Sequence, residues 1–333
     1  MTTLLDVRSL HVDIRLPAGV LHAVRDVSFH VDRGETLCLV GESGCGKSLT
    51  ALAIMNLLPP KSLRRAELLA FDGQKLQGLN NRAMADLRGR SMAMIFQEPM
   101  SSLNPCFTIG NQLEETLRRH MPVTRRQARE RAVFLLEKVG ITAAASRLRQ
   151  YPHQLSGGLR QRVMIAMSLM CEPALIIADE PTTALDVTIQ AQILSLLYSL
   201  QSEFGMGMIF ITHDLGIVAR IARRVAVMYC GQVVETGQAH EVFHNPLHPY
   251  TQGLLACLPV PGKTRPGEHL GSIPGMVPTP IGDLSGCMFR NRCPYVMTEC
   301  GRQSVLLQSL SAGRTYCCLL SPEISLANRS KQG

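Results

Sequence analysis

Hydrophobic and polar residues follow two periods along this chain, and these periods predict strands and helices that succeed one another. Within residues 4–40, LDVRSLHVDIRL and AVRDVSFHV alternate with a period of two, and the apolar run TLCLV follows them. The runs MAMIF (92–96), LIIA (175–178) and MIFIT (208–212) have the length of buried strands, and RRVAVMYCGQVVETG predicts a last strand pair. Strands that alternate with helices predict an α/β fold with a mostly parallel sheet.

Helical periodicity marks the segments between these strands. One helix is expected to begin at about Lys47 and to stop before Pro59. Ser156 is a good N-cap for the helical segment GGLRQRVMIAMSLM, and another helix is expected at 189–204. The stretch from about 98 to 165 has helical character only, so it is predicted to form a helical subdomain that interrupts the sheet.

The composition changes at about residue 241, where prolines crowd a glycine-rich stretch. We therefore expect one domain at 1–240 and a C-terminal region at 241–333 that ends in a small cysteine-bearing tail. Hydrophobic residues make up 46% of the chain. No apolar run approaches the ~20 residues of a membrane span, and no basic leader precedes an apolar core at the start. A cytoplasmic protein that meets the membrane through partners is expected.

The formal net charge of +8 permits contact with nucleic acid or an acidic membrane. The basic residues are scattered, however, as in the helical segment at 125–131, where they are expected to face solvent. We therefore predict no dedicated role in nucleic-acid binding.

The segment GESGCGKS (41–48) fits the pattern G-x-x-x-x-G-K-[ST] and lies between a predicted buried strand and a predicted helix. Its glycines let the backbone turn tightly and aim N–H groups at phosphate oxygens, and the helix adds its positive end. Lys47 is expected to reach the β- and γ-phosphates, and Ser48 to ligate Mg²⁺. The expected phosphate contacts are Gly41, Ser43, Gly44, Cys45, Gly46, Lys47, Ser48 and Leu49.

The segment LIIADEP (175–181) supplies acidic residues at a strand end. Asp179 can bind Mg²⁺ through water, and Glu180 is placed to polarise a water that attacks the γ-phosphate. His213 follows the strand MIFIT and is a candidate sensor of the γ-phosphate. These residues predict an enzyme that binds and hydrolyses ATP.

Read together, these motifs resemble those of ATP-binding subunits of ABC transporters, in the same order along nearly the whole chain. Phrases such as FQEPMSSLNP, YPHQLSGG, ADEPTTALDVTIQAQIL and HNPLHPYTQGLL followed by SIPGMVP are similar to the oligopeptide, dipeptide and nickel importer ATPases. In the names of that family, the motifs are Walker A (41–48), the Q-loop glutamine Gln97, the signature LSGGLRQ (155–161), Walker B with Asp179 and Glu180, the D-loop Ala184-Leu185-Asp186, and the switch histidine His213.

The resemblance implies a P-loop NTPase cassette: a RecA-like core, an N-terminal antiparallel β-subdomain and a helical subdomain that carries the signature. It also implies a head-to-tail dimer of ATPases, with each ATP between Walker A of one subunit and the signature of the other. Catalysis would involve Glu180, His213, Gln97 and Lys47, and Mg²⁺ would be held by Ser48, Gln97 and Asp179. The residues expected to contact the ATP of the partner are Ser156, Gly157, Gly158, Gln161 and Asp186.

The resemblance further implies an importer of di- or oligopeptides, or of a related solute such as nickel. Its expected partners are a second, different ATPase subunit, two transmembrane permease subunits and an extracytoplasmic solute-binding protein. The chain would then lie peripherally at the cytoplasmic face of the inner membrane.

The adenine site departs from the family pattern. Family members stack adenine on an aromatic residue just before the strand AVRDVSF, but residues 14–22 contain no Phe, Tyr or Trp. Adenine is expected to stack on His22 or to rest on aliphatic side chains such as Ile14 or Leu16.

Cysteines concentrate near the end of the chain. Their spacing is too wide for the paired knuckles of a zinc site, and disulfides suit neither a cytoplasmic location nor an odd count. Four thiolates around an iron–sulfur cluster tolerate irregular spacing. The resemblance favours a [4Fe–4S] cluster, with zinc or reduced structural thiols as alternatives. The expected ligands are Cys287, Cys293, Cys300 and Cys318, with Cys317 as the alternative fourth ligand.

Three other functional classes fit the sequence less well than an importer. Soluble ABC ATPases of ribosomes or DNA usually carry tandem cassettes or a coiled-coil insertion, and this sequence has neither. A regulatory subunit with a degenerate site would lack residues such as Lys47 or Glu180, which are present here. Exporters usually fuse membrane spans to the cassette, and no such span is visible.

Overall fold

The computed structural model describes residues 2–183, 185–258, 271–282, 284–302, 305–311 and 313–329. The strands are β1 (Thr3–Leu16), β2 (Gly19–Asp32), β3 (Thr36–Val40), β4 (Ser62–Arg65), β5 (Leu68–Phe71), β6 (Gln74–Lys75), β7 (Met92–Ile95), β8 (Leu175–Asp179), β9 (Gly207–Thr212), β10 (Arg224–Tyr229), β11 (Gln232–Gln238), β12 (Gln308–Ser311) and β13 (Arg314–Tyr316). The helices are α1 (Lys47–Ile54), α2 (Asn81–Leu87), α3 (Pro99–Ser102), α4 (Ile109–His120), α5 (Arg125–Lys138), α6 (Ala144–Arg147), α7 (Gly157–Ser168), α8 (Val187–Phe204), α9 (Leu215–Ile221), α10 (Ala239–His244), α11 (Pro249–Ala256) and α12 (Pro322–Arg329).

The chain divides into two compact units, which are described separately. The first unit comprises Met1–Leu5, Val31–Glu35 and Phe71–Ile211. The second unit comprises Asp6–His30, Thr36–Ala70 and Thr212–Gly333. None of the helices in the described ranges has the length and apolar composition that a membrane span requires.

Three parallel strands organise the first unit. In β7, β8 and β9 every residue is buried, as expected for strands covered on both faces, and β8 pairs in parallel with β7 and with β9. The prediction of a strand at 92–96 was one residue too long, because β7 ends at Ile95 and Phe96 is 38% exposed. The carboxyl ends of these strands therefore lie along one edge of the first unit.

Helices fill the described chain between β7 and β8, which confirms the helical character predicted for 98–165. The segment contains separate helices, because a Met-Pro sequence follows α4 and a capping box at Thr124 and Gln127 starts α5. Ser156 caps α7 as predicted: its hydroxyl accepts a hydrogen bond from the N–H of Leu159 at 3.4 Å. The last helix of the unit, α8, begins at Val187, two residues earlier than predicted, because Asp186 caps it.

The second unit combines antiparallel strands with a parallel pair. β4 pairs antiparallel with β1, and no strand was predicted at its position, 62–65. The buried strand β3 runs parallel to β10, and β10 turns back into β11 with a bulge between Val227 and Met228. The strand pair predicted at 223–237 is therefore confirmed.

The C-terminal region is built onto the same sheet of the second unit. β13 pairs antiparallel with β11, and β12 pairs antiparallel with β13. Arg314 of β13 donates to the carboxylate of Glu235 at 3.2 Å, and Glu235 also accepts the N–H groups of Leu247 and His248 at 2.9 Å each. Burial raises the pKa of the completely buried Glu235, and these donors oppose that rise. Three prolines of the proline-rich stretch, Pro259, Pro261 and Pro266, lie outside the described residues.

Candidate active site

The glycine loop lies in the second unit, directly between β3 and α1, as its pattern predicts. Gly41 has φ +151°, and a methyl group there would lie 2.2 Å from the carbonyl oxygen of Met228. Gly46 has φ +101°, and a methyl group there would lie 2.5 Å from the carbonyl oxygen of Ala23. Any other residue at either position would displace the backbone of a neighbouring strand, so the sequence of the loop follows from its packing.

Lys47 points back into the loop. Its side chain is 4% exposed, and its ammonium group donates to the carbonyl oxygens of Gly41 at 2.8 Å and Glu42 at 3.0 Å. Cys45 is buried, and burial raises the pKa of its thiol, so this cysteine packs within the loop instead of presenting a thiolate. Among the other predicted phosphate contacts, Ser43 and Gly44 are exposed, whereas Ser48 and Leu49 are half-buried in the first turn of α1.

Glu42 is the residue of the loop that the sequence analysis did not single out. Its backbone N–H donates to the hydroxyl oxygen of Tyr250 at 2.8 Å, and its carboxylate receives two hydrogen bonds from Arg292 at 2.7 and 3.0 Å. Tyr250 belongs to α11, and Arg292 ends a short 3₁₀ helix at Arg290–Arg292. No local sequence pattern reveals these contacts, because the paired residues are separated by 208 and 250 positions.

Three predicted catalytic and metal-binding residues meet in the first unit, at the carboxyl edge of β7 and β8. Gln97 follows β7, and its amide nitrogen donates to Oε2 of Glu180 at 3.3 Å. The same oxygen accepts the hydroxyl of Thr183 at 3.0 Å. Asp179, the last residue of β8, is 5% exposed. Parallel pairing of adjacent strands explains why residues more than eighty positions apart converge here.

Glu180 has an unusual backbone conformation. Its φ of +43° lies in the left-handed region, which residues with a β-carbon rarely adopt. Its N–H donates to the carbonyl oxygen of Ile211 at 3.0 Å, which fixes this conformation at the strand end. A strained glutamate at the edge of a buried sheet is consistent with a side chain retained for chemistry.

The residues predicted to face the ATP of a partner also lie in the first unit. Ser156 and Gly157 are exposed at the start of α7, and a methyl group at Gly158 would lie 3.2 Å from Cγ2 of Ile189 in α8. Asp186 is exposed at the start of α8, where its carboxylate accepts the N–H of Ile189 at 2.9 Å. Gln161 differs from these residues because it is only 1% exposed. Ala184, named with the D-loop, lies outside the described residues.

His213 and the predicted adenine contacts belong to the second unit. His213 is exposed and follows Thr212, whose hydroxyl accepts the N–H of Asp214 at 3.0 Å. His22 bonds through Nδ1 to Asp13 at 2.7 Å, and Asp13 also pairs with Arg65 at 2.5 Å. The ring of His22 is thus held at its place in β2. Leu16 is 40% exposed, and Ile14 is half-buried.

Four of the tail cysteines line one cavity of the second unit. Its walls include Tyr295, Met297 and Leu320 together with the predicted ligands Cys287, Cys293, Cys300 and Cys318. Burial raises the pKa of Cys293 to about 11, and the nearby thiols of Cys318, Cys287 and Cys300 add to this rise. Within the described residues, no three His, Cys, Asp or Glu side chains are arranged to hold a single metal ion.

Cys317 lines a different cavity of the second unit, together with Cys287 and Val305. Its N–H donates to the carbonyl oxygen of Val234 at 2.8 Å, and its thiol donates to the carbonyl oxygen of Val305 at 3.1 Å. Cys318, and not Cys317, lines the cavity with the other three cysteines. The geometry therefore favours Cys318 over Cys317 as the fourth member of the group.

Comparison with known proteins identifies the family. Residues 24–183 match the family model described as ABC transporter, and residues 234–300 match the model described as oligopeptide/dipeptide transporter, C-terminal region. The chain is 49% identical over 315 residues to the dipeptide transport ATP-binding protein DppD of Escherichia coli, covering 95% of this chain and 96% of that protein. The chain belongs to the ABC transporter family. It is 50% identical over 299 residues to the oligopeptide transport ATP-binding protein OppD of Bacillus subtilis, covering 89% of this chain and 83% of that protein.

A solved ABC cassette shares the fold. That structure, a dimer in a post-hydrolysis state bound to ADP and Pi, superposes with a TM-score of 0.64 at 26% identity and covers 71% of this chain and 99% of its own. The predicted cassette fold is therefore confirmed. As a member of the ABC family, the chain is an ATPase whose hydrolysis is coupled to transport, as its motifs predicted.

Proposed function

We propose that this chain is the ATP-binding and hydrolysing subunit of an ABC importer that takes up di- or oligopeptides. The observation that carries the proposal is the match of residues 234–300 to the C-terminal region of oligopeptide and dipeptide transporters. The two relatives that match along most of this chain are named for dipeptide and oligopeptide transport, which supports the same class of solute.

The roles of the site residues follow from their chemistry. The N–H groups of the loop 41–48 and the ammonium group of Lys47 would hold the phosphates, and the hydroxyl of Ser48 would bind Mg²⁺. Asp179 and Gln97 would complete the magnesium site. Glu180 would take the proton of the attacking water, and the hydrogen bond from Gln97 to its carboxylate keeps it oriented. His213 would sense the γ-phosphate.

We further propose that two such ATPases close head to tail over two ATP molecules. Ser156 and Gly157 present the exposed start of the twelve-residue helix α7, where N–H groups and the helix dipole favour an anion. Gly158 and Asp186 would lie beside the same phosphate, and the assignment of the buried Gln161 stays a prediction from the sequence. The dimeric state of the solved cassette supports this arrangement.

We propose the remaining partners from the similarity of the chain to peptide transporters. The second ATPase is a different gene product, two permease subunits form the path through the membrane, and an extracytoplasmic protein delivers the solute. The chain would then lie at the cytoplasmic face of the inner membrane, held by the permeases.

Replacing Ser156 with arginine is expected to prevent closure. A bulky cation at the exposed start of α7 would block a partner's nucleotide, so hydrolysis by the assembled transporter should fall by about two orders of magnitude. ATP affinity of the isolated chain should stay unchanged, as measured by displacement of a fluorescent nucleotide. Ser199→Arg, at another exposed serine, is the matched control. Equal hydrolysis by Ser156→Arg and wild type would contradict the proposed role of α7.

We propose that the four cysteines that share a cavity hold an iron–sulfur cluster instead of a single ion. A cluster is a larger body whose thiolates stand apart, whereas a zinc ion needs its ligands around one point. Cys287, Cys293, Cys300 and Cys318 would hold it, and it would crosslink segments of the C-terminal region that carry little regular structure.

Neighbouring cysteines offer a matched test of the cluster. Protein purified without oxygen is expected to contain iron and sulfide, and Cys318→Ser should lose most of both. Cys317→Ser should retain them, because Cys318 and not Cys317 lines the cavity with the other cysteines. Absence of iron and visible absorbance from the wild-type protein would contradict the cluster, and the opposite result for the two variants would contradict the choice of Cys318.

The solute class and partners can be tested in one purification. A tagged copy of the chain, isolated in detergent from its own cells, is expected to bring a second ATPase and two membrane subunits. The solute-binding protein encoded with them should carry di- or oligopeptides, identified by mass spectrometry. Isolation without membrane subunits, or with a solute that is not a peptide, would contradict the proposal.

A further inference from the structure

Arg292 is a charged side chain buried in the second unit, and its donors are occupied. The side chain is 3% exposed. Besides its two bonds to the carboxylate of Glu42, it donates through Nε to the carbonyl oxygen of Pro274 at 3.0 Å and through Nη2 to that of Ile273 at 3.0 Å. Its guanidinium also lies 5.8 Å from the ring centre of Tyr229.

Burying a guanidinium this completely is costly unless its partners are fixed. The paired bonds to Glu42 form the two-pronged arrangement that fixes orientation as well as distance. The two carbonyl acceptors belong to the C-terminal segment 271–282 and hold the other side of the guanidinium. Arg292 therefore ties the C-terminal region to one residue of the glycine loop.

Tyr250 holds the backbone of the same residue. Its hydroxyl oxygen accepts the N–H of Glu42 at 2.8 Å, and its ring packs 4.6 Å from that of Tyr229 and 5.5 Å from that of Phe289. Glu42 is thus held at its N–H and at its carboxylate by residues that follow position 240. The carbonyl oxygens of Gly41 and Glu42 are also the acceptors of Lys47, so the position of Glu42 sets the start of the loop.

The ion pair between Arg292 and Glu42 also affects the electrostatics of the loop. The carboxylate of Glu42 is 30% exposed, within a loop that binds phosphate. Without a cation, this carboxylate would repel the phosphates of ATP over a short distance. Arg292 offsets that charge through its two-pronged contact with the carboxylate.

We propose that Arg292 and Tyr250 are positioning residues of the ATP site, which hold Glu42 so that the phosphate loop is formed before nucleotide arrives. The C-terminal region then stabilises the ATP site, in addition to being typical of this class of transporter. This inference rests on the proposed assignment of residues 41–48 to the phosphates of ATP. Arg292 directly precedes Cys293, which lines the four-cysteine cavity. A displacement of Cys293 would therefore also displace Arg292 and, through it, Glu42 of the loop.

Replacement of Arg292 by glutamine in the full-length chain provides the test. ATP affinity, measured by displacement of a fluorescent nucleotide, is expected to fall about tenfold, equivalent to ~1.4 kcal/mol. In the assembled transporter the loss should appear mainly in KM, with kcat changed much less, because the residue does not touch the reacting atoms. Arg292→Lys should recover only part of the affinity, since it keeps the charge but not the two-pronged contact.

The pair Glu42→Gln and Arg292→Gln separates positioning from general destabilisation. The double variant should bind ATP better than Arg292→Gln alone, because it removes the uncompensated carboxylate. Arg302→Gln, at an exposed arginine of the same region, is the matched control and should bind ATP normally. Tyr250→Phe removes only the acceptor for the N–H of Glu42 and should raise KM by a smaller factor, which provides a test if Arg292→Gln does not fold.

Several outcomes would overturn the inference. These are ATP affinity of Arg292→Gln within twofold of wild type, an equal loss in Arg302→Gln, a double variant that is the sum of its single variants, or an unchanged KM in Tyr250→Phe. The proposed function is tested separately by Lys47→Ala. If that variant keeps full ATP affinity, the assignment of the loop itself is wrong; if it loses affinity while Arg292→Gln does not, only the positioning role is wrong.

Discussion

Replacing Glu180 with glutamine is expected to stop ATP turnover while ATP remains bound. Glutamine keeps the size of the side chain and can occupy the same position beside Gln97, but it cannot accept a proton from water. General bases contribute about 10²- to 10⁴-fold to rates, so steady-state hydrolysis should fall within that range. Loss of hydrolysis without loss of binding should also trap the closed pair of ATPases, seen as a stable larger species by gel filtration with ATP and Mg²⁺.

The conformation of Glu180 makes this variant informative. Its φ of +43° and its N–H bond to Ile211 are backbone properties, which the change to glutamine leaves in place. Glu98→Gln, at an exposed glutamate next to Gln97, is the matched control and should hydrolyse ATP normally. Unchanged steady-state hydrolysis by Glu180→Gln would show that another group takes the proton.

Replacing Lys47 with alanine is expected to abolish tight nucleotide binding. The ammonium group is nearly buried and donates to the carbonyl oxygens of Gly41 and Glu42 at the start of the loop. Its loss therefore removes a phosphate contact and also the hydrogen bonds that stabilise the loop. Hydrogen bonds to charged groups contribute about 1.5–3 kcal/mol, which corresponds to a loss of about ten- to hundredfold in ATP affinity.

Calorimetric titration with ATP and Mg²⁺ measures this loss directly. Lys75→Ala, at an exposed lysine of the first unit, provides the control and should bind ATP as wild type does. Thermal unfolding without nucleotide should be compared in parallel, because Lys47 also braces the loop. Wild-type affinity in Lys47→Ala would remove the loop 41–48 from the nucleotide site.

The predictions that the structure confirmed rest on short, local sequence patterns. The loop 41–48 is specified by consecutive residues, and Gly41 and Gly46 have no room for a side chain, so its strand–loop–helix setting follows from a short stretch of sequence. The contact of Gln97 with Glu180 was partly within reach, because both follow strands of a sheet that was predicted to be mostly parallel, but the pairing of these two strands was not predicted. Helix N-caps such as Ser156 can also be predicted from a few neighbouring residues.

Long-range pairing in irregular segments lay beyond sequence reasoning. Arg292 sits in a segment without helical or strand periodicity, so nothing in its neighbourhood indicates a partner 250 residues earlier. β13 has three residues, too few for a period to show, yet it places the C-terminal region on the sheet of the second unit. The choice between Cys317 and Cys318 depended on which of the two lines the cavity with the other cysteines, and spacing along the chain does not contain that information.

The most direct test of the account is coupled uptake by the complete transporter in sealed vesicles. With ATP and Mg²⁺ on the side of the ATPase subunits and labelled di- or oligopeptide delivered by the solute-binding protein, peptide should accumulate as ATP is hydrolysed. Vesicles that contain the Glu180→Gln variant should hydrolyse little ATP and accumulate little peptide. ATP hydrolysis by the wild-type complex without uptake of any di- or oligopeptide would contradict the proposed function.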